Sequence, residues 1–179
     1  MNNILFKFFK RFILTGFLLL SGAISGCANA NDAFPLATDL QKTAEVAAKK
    51  NVPVVIFYTA SWCHYCHILE RDILDPLLAG TDIENYAEFR KVSISESRRS
   101  MVDFAGNNLN MGKFAENQDV EYTPTTLVYD HKGQIIADPI LGITLEEFYP
   151  ANLEKAINTG LQKLGSSKRL DIYKMMDTK

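Results

Sequence analysis

A surplus of charge is the first thing this chain lacks: its 179 residues carry 19 Lys and Arg against 21 Asp and Glu, a formal net charge of -2. That balance gives no electrostatic footing for nucleic acid, and no basic stripe occurs beyond the extreme N-terminus. The Lys168-Arg169 pair is short and reads as part of a solvated tail. No phosphate-cradling glycine loop is present, so neither a nucleotide nor a flavin is implied. Internal repeats and low-complexity tracts are also missing. The apolar run at residues 12–20 falls short of the ~20 residues that a comfortable membrane-spanning helix needs. With 47% apolar and 22% charged residues, the remainder suits one ordinary globular domain plus some non-domain sequence.

Residues 1–30 read as a targeting segment. Lys7, Lys10 and Arg11 form a positive region, the apolar run follows, and small residues begin at Ser21. An uncleaved anchor is the alternative. Two cleavage sites compete. Ala28-Asn29-Ala30 suits ordinary signal peptidase, whereas Ile24-Ser25-Gly26-Cys27 resembles a bacterial lipobox whose cysteine becomes the lipidated N-terminus. The lipobox is favoured because it lies nearer the apolar run and accounts for a third, otherwise spare cysteine. Either site implies export, where disulfides persist; lipidation of Cys27 implies a domain anchored on the periplasmic side of a bacterial membrane. Residues 31–37, interrupted by Pro35, are expected to be a linker.

The most informative sequence present is Ser61-Trp62-Cys63-His64-Tyr65-Cys66-His67, directly after the apolar run at residues 54–58. A continuous apolar run of this length suits a strand buried on both faces. Leu40, Ala44, Ala47 and Ala48 predict a helix before it, ending near Lys50; Ile68, Leu69, Ile73 and Leu77 predict one after it, kinked or ended by Pro76. Residues 88–94 predict a second strand, and the polar, asparagine-rich stretch 101–119 a short helix at 111–117. Residues 125–129 and 134–137 around an Asp130-His131-Lys132-Gly133 turn predict a hairpin. Leu145, Phe148, Leu153, Ile157 and Leu161 predict a closing helix whose first turns Pro150 sets apart, and residues 165–179 a tail with little to bury. The order implies an α/β fold in which a front strand-helix-strand unit is parallel and a back hairpin antiparallel.

Two cysteines three apart at a strand-to-helix junction permit a reversible disulfide at a helix end, where unpaired N–H groups and the helix dipole favour a thiolate. The same letters spell Cys-x-x-Cys-His, the attachment signature of a c-type haem, with His67 as one axial ligand and Met101 or Met111 as the other. A third reading is copper or zinc capture by Cys63 and Cys66 with His64 or His67. Small cytochromes are largely helical, whereas residues 54–58 and 125–129 read as sheet, which favours the disulfide.

Strand, then Trp-Cys-x-x-Cys opening a helix, then Thr123-Pro124 ahead of a strand about sixty residues later, resembles the thioredoxin superfamily over about residues 38–164. The resemblance implies the thioredoxin fold, a central mixed sheet flanked by helices, and a thiol:disulfide oxidoreductase with no cofactor beyond the Cys63–Cys66 disulfide. It makes Cys63 the nucleophile and Cys66 the resolving thiol. Trp62 is expected to shield the disulfide region, and His64 and Tyr65 to tune it. Pro124 is expected in the cis form, with Thr123 offering backbone to a substrate strand. Substrates would be cysteine-containing exported proteins or a partner oxidoreductase; a monomer is expected, working as a reductase or redox relay rather than an oxidase. In one respect the chain departs from the pattern. Thioredoxin has a buried aspartate in the strand before its motif, serving the second cysteine's proton; Phe57 stands at that position here, and Glu70 or Glu121 could replace it only if the fold brings them close.

Overall fold

The computed structural model describes residues 34–143 and 145–177, and the targeting segment with Cys27 lies outside them. The first helix, α1 (Leu40–Lys50), matches the expected span. The Asp39 side chain caps it by accepting from the Lys42 N–H, and Asn51, in the left-handed region, closes it behind Lys49 and Lys50. Asp39 is thereby held below the ordinary carboxylate pKa, chiefly by that backbone hydrogen bond. Strand β1 (Val54–Thr59) is buried at all six positions, as its uninterrupted apolar sequence requires.

β1 lies inside a four-stranded sheet of order β2-β1-β5-β6, where β2 is Glu88–Ser93, β5 is Thr125–Tyr129 and β6 is Ile140–Leu141. β2 runs parallel to β1, while β5 and β6 are antiparallel to their neighbours. Alternate residues share a face, so Phe57 and Thr59 of β1 lie with Phe89 and Lys91 of β2 and Thr126 of β5. Phe34 packs against both Phe57 and Phe89 on that side, with ring centroids 5.8 and 6.0 Å apart. The Tyr149 hydroxyl meets Thr126 Oγ1 at 2.7 Å, seating α5 (Tyr149–Lys163) there too. On the opposite face Tyr58 stacks on Phe114 of α4 (Met111–Asn117) and shares a 2.6 Å hydroxyl contact with Tyr129. Burial raises the pKa of Tyr58, Tyr129 and Tyr149 well above the ordinary phenol value, so all three remain neutral partners in the core.

The helix after the motif does not end at Pro76. It runs as α2 (His64–Leu69), a π turn (Glu70–Leu74) and α3 (Asp75–Gly80), with the Asp75 N–H donating to the Glu70 carbonyl five residues back. Proline in a helix lacks a donor and crowds the preceding turn; the widened turn just before Pro76 makes room for it without breaking the helix. The expected hairpin is also changed. Only Ile135 of residues 134–137 bridges β5, opposite Tyr129, and the paired strand comes later at β6, after Pro139. Gly133 makes the turn at φ +79°, where a Cβ would come within 2.7 Å of the Phe104 ring. In the polar stretch before α4, a small hairpin of β3 (Ser100–Val102) and β4 (Asn108–Asn110) forms where the sequence suggested only loop.

The segments expected to bury little do otherwise. In the presumed linker, Phe34 and Ala37 are fully buried and Leu36 bridges Lys91 of β2. In the presumed tail, Leu170 and Ile172 are core residues, held by Asn158, whose side chain exchanges two 2.9 Å hydrogen bonds with the Leu170 backbone. A last helix, α6 (Ile172–Asp177), follows. Conversely Leu145 and Phe148, read as core, are half exposed in the 3-10 turn that precedes α5.

Candidate active site

β1 delivers the chain to the Cys-x-x-Cys turn at the C-terminal end of this interior strand. The Cys63 N–H donates to the Ala60 carbonyl, and the Ser61 N–H to Ser95 Oγ beyond β2, both at 3.0 Å. Cys63 is the N-cap of α2 in extended geometry, and its Sγ accepts from the Cys66 N–H at 3.2 Å. Sulfur thus takes the place of a capping oxygen and lies in the positive field of the helix end. Cys63 and Cys66 form a disulfide with S–S 2.03 Å and Cα–Cα 5.3 Å. Cys63 retains 6% exposure and Cys66 none, so an incoming thiol or disulfide meets Cys63 first.

The neighbours expected to shield and tune the pair lie at the surface. Trp62 is 71% exposed and Tyr65 58%, so Trp62 presents most of its ring to solvent. His64 is exposed and meets Tyr65 edge-on, with centroids 5.9 Å apart. His67 turns back so that Nε2 lies 3.2 Å from the Ser61 carbonyl, bracing the turn. Met101 and Met111, the axial candidates of the haem reading, are core residues. Among the described residues no group of three or more His, Cys, Asp or Glu is placed to hold a metal ion.

Thr123-Pro124 reaches the same end of the sheet through strand register. Tyr58 pairs with Thr125 in the antiparallel β1–β5 ladder, so the start of β5 lies where β1 ends, and the bond before Pro124 is cis. The Pro124 carbonyl accepts from the Gly142 N–H at 2.8 Å, and Thr123 Oγ1 is buried with no hydrogen-bond partner among the described residues. Beside them an open groove of about 320 Å³ is lined by Val120, Tyr122, Thr125, Leu127, Ile135 and Leu141. Tyr122 and Leu141 are mostly exposed there.

Two polar residues behind the motif gain meaning only in three dimensions. Lys91 pairs in register with Phe57, and its Nζ meets Glu70 Oε2 at 2.8 Å. Glu70 Oε1 accepts from Thr59 Oγ1 at 3.1 Å. The side chains of Lys91 and Glu70 are only 12% and 16% exposed. Glu121, the other carboxylate considered from sequence, is exposed in a loop. The spacing of Glu70, four residues after Cys66, was the available signal; Lys91 offered none without the strand pairing.

A mixed sheet flanked by helices, with a disulfide-bonded cysteine pair whose first member caps the helix that follows β1, defines a protein built for dithiol–disulfide exchange. Residues 40–157 match the family model described as a thioredoxin-like domain, and the chain belongs to that family. Its Cys63–Cys66 pair is that of a thiol:disulfide oxidoreductase, and thioredoxin-like proteins act on cysteine-containing protein substrates. Similar solved structures include oxidised thioredoxin O2 from Arabidopsis thaliana, at 18% identity and TM-score 0.46 over 69% of this chain and 94% of that one. Fasciola hepatica thioredoxin is similar at 16% identity and TM-score 0.46, over 68% and 98%. Mitochondrial thioredoxin 3 from Saccharomyces cerevisiae is similar at 25% identity and TM-score 0.43, over 70% and 93%. No curated protein matches the chain.

Proposed function

We propose that this protein is an exported thiol:disulfide oxidoreductase, held at the periplasmic side of a bacterial membrane by lipid on Cys27, that reduces or relays electrons to cysteine-containing exported proteins or a partner oxidoreductase. The observation that carries the reading is Cys63 Sγ at the helix N-cap, accepting from the Cys66 N–H, with Cys66 buried behind it. In the reductive direction the Cys63 thiolate attacks a substrate disulfide, forming a Cys63–substrate bond and releasing one substrate thiolate, which takes up a proton. The Cys66 thiolate then attacks Cys63 Sγ, and the second substrate thiol leaves. The substrate gains two electrons and two protons as the cysteine pair becomes a disulfide.

The preference for reduction rests on charge. A protonated histidine beside Cys63 would stabilise the thiolate and make the disulfide a stronger oxidant, but His64 faces solvent, where its influence is screened. The groove beside Thr123-Pro124 offers Tyr122 and Leu141 to an incoming extended chain. Export and anchoring rest on the sequence of residues 1–30. Among the described residues no helix is long and apolar enough to cross a membrane.

The test is substrate trapping with Cys66→Ser in intact cells. Mixed disulfides to exported proteins through Cys63, absent from the Cys63→Ser strain, are expected; no such adducts, or adducts only to cytosolic proteins, would overturn the reading. Mass spectrometry of the mature N-terminus decides the anchor: acylated Cys27 is expected, and an unmodified chain starting at Asn31 contradicts it.

A further inference from the structure

The resolving step needs the Cys66 proton to go somewhere, and Cys66 is fully buried. Burial in apolar surroundings favours the neutral thiol, so a buried cysteine attacks slowly unless a base stands near it. The strand position beneath the motif carries no base: Phe57 is buried against Phe34. Yet the residue paired with Phe57 on β2 is Lys91, an ammonium almost out of solvent, and its carboxylate partner comes from the helix rather than the strand.

We propose that Glu70, fixed by Lys91 and Thr59, is the proton acceptor for Cys66, a role that rests on the thiol-exchange reading above. Glu70 lies one helical turn beyond Cys66, and its N–H donates to the Cys66 carbonyl. Side chains four apart on a helix share a face, with Cβ atoms about 5–6 Å apart, a separation that a single water is able to bridge between carboxylate and thiol. The two hydrogen bonds aim the carboxylate at the sheet side of the helix, where Cys66 is also buried. In the step, the Cys66 S–H gives its proton to the Glu70 carboxylate through that water. The thiolate attacks Cys63 Sγ of the mixed disulfide, the Cys63–substrate S–S bond breaks, and the departing thiolate is reprotonated by Glu70 or by solvent.

The groups that face Glu70 come from both strands and from its own helix. From β2 comes the Lys91 ammonium; β1 contributes the neutral Thr59 hydroxyl and the Phe57 ring on this face. Its own helix carries Cys66, His67, Arg71, Asp72 and Asp75, of which Arg71 and Asp72 pair with each other and His67 turns to Ser61. Lys91 is thus the cation that, together with Thr59, fixes the position of the Glu70 carboxylate.

The experiment mixes the reduced protein with 5,5′-dithiobis(2-nitrobenzoate) in a stopped-flow instrument from pH 5 to 9. The first release of nitrothiobenzoate reports attack by Cys63, and the second reports resolution by Cys66. Glu70→Gln should leave the first release within about twofold and slow the second about a hundredfold near neutral pH. Glu70→Asp should recover part of the loss. Removing one partner of a largely buried pair strands the other, so Glu70→Gln/Lys91→Met, which discharges both, is measured alongside for stability's sake and should lose the second release equally. Circular dichroism confirms which variants are folded. An unchanged second release in either variant overturns the proposal. So does a faster one, which would mean that the carboxylate only held Cys66 protonated. A wild-type protein that gives no second release at all instead refutes the exchange reading itself.

Discussion

Strand β2 carries two lysine–glutamate contacts, and they teach different things. Near its start, Glu88 meets Lys50 of α1 at 2.6 Å and Arg90 at 3.5 Å. That cluster ties the end of the first helix to the sheet, and Lys50 also donates to the Glu84 carbonyl. Further along, Lys91 meets Glu70 on the face that the motif helix covers. The two pairs have the same chemistry, and each has a largely buried carboxylate, although Lys50 is more exposed than Lys91. One joins elements that only need to stay together; the other touches the helix turn that follows a reactive cysteine. Position relative to Cys63 and Cys66, rather than ion-pair strength, separates an architectural contact from one that bears on turnover.

Substitutions break that comparison at graded strength. Cys63→Ser should abolish disulfide reduction in a turnover assay, whereas Cys66→Ser should still form mixed disulfides and stall there; full activity in either would remove the pair from the chemistry. Next, Glu70→Gln should depress resolution while Glu88→Gln leaves it unchanged, read in the same two-release assay. Urea unfolding should then show Glu88→Gln costing about 1–3 kcal/mol, because two cations lose their carboxylate. If Glu88→Gln also slowed resolution, the division between the two pairs would fail. The smallest effect belongs to Asp39. Its folded pKa is lowered by the Lys42 N–H bond, so its contribution is present above the unfolded carboxylate pKa and is lost as pH falls through the folded one. Asp39→Asn should therefore flatten the acid side of the stability profile and leave neutral-pH turnover alone.

Local pattern carried much of this fold. α1 could be read from its alanines and lysines, β1 from its apolar run, and α4 from Met111, Phe114 and Ala115 behind an asparagine cap. What escaped depended on distant partners. Leu170 and Ile172 stand in a charged, sparsely apolar stretch, and distant side chains of α5 satisfy their backbone, Asn158 at Leu170 and Glu154 at the Ile172 N–H. The β3–β4 hairpin has three-residue strands rich in polar residues, too short for alternation to show. The continuation past Pro76 needed a π turn that no propensity announces. At the site the division is the same. Cys63, Cys66 and Thr123-Pro124 were legible because their spacing is local or belongs to a known pattern. The Glu70–Lys91 contact was not, because it depends on the register that sets Lys91 beside Phe57.

The central claim, a Cys63–Cys66 pair working in the reducing direction, is tested most directly by its potential, measured by thiol alkylation across a series of glutathione buffers with a visible spectrum of the same sample. A value close to the about -270 mV of thioredoxin is predicted, with no Soret band. A value near the about -120 mV of strong oxidants of this fold would contradict the direction, and a covalent haem spectrum would contradict the disulfide chemistry altogether.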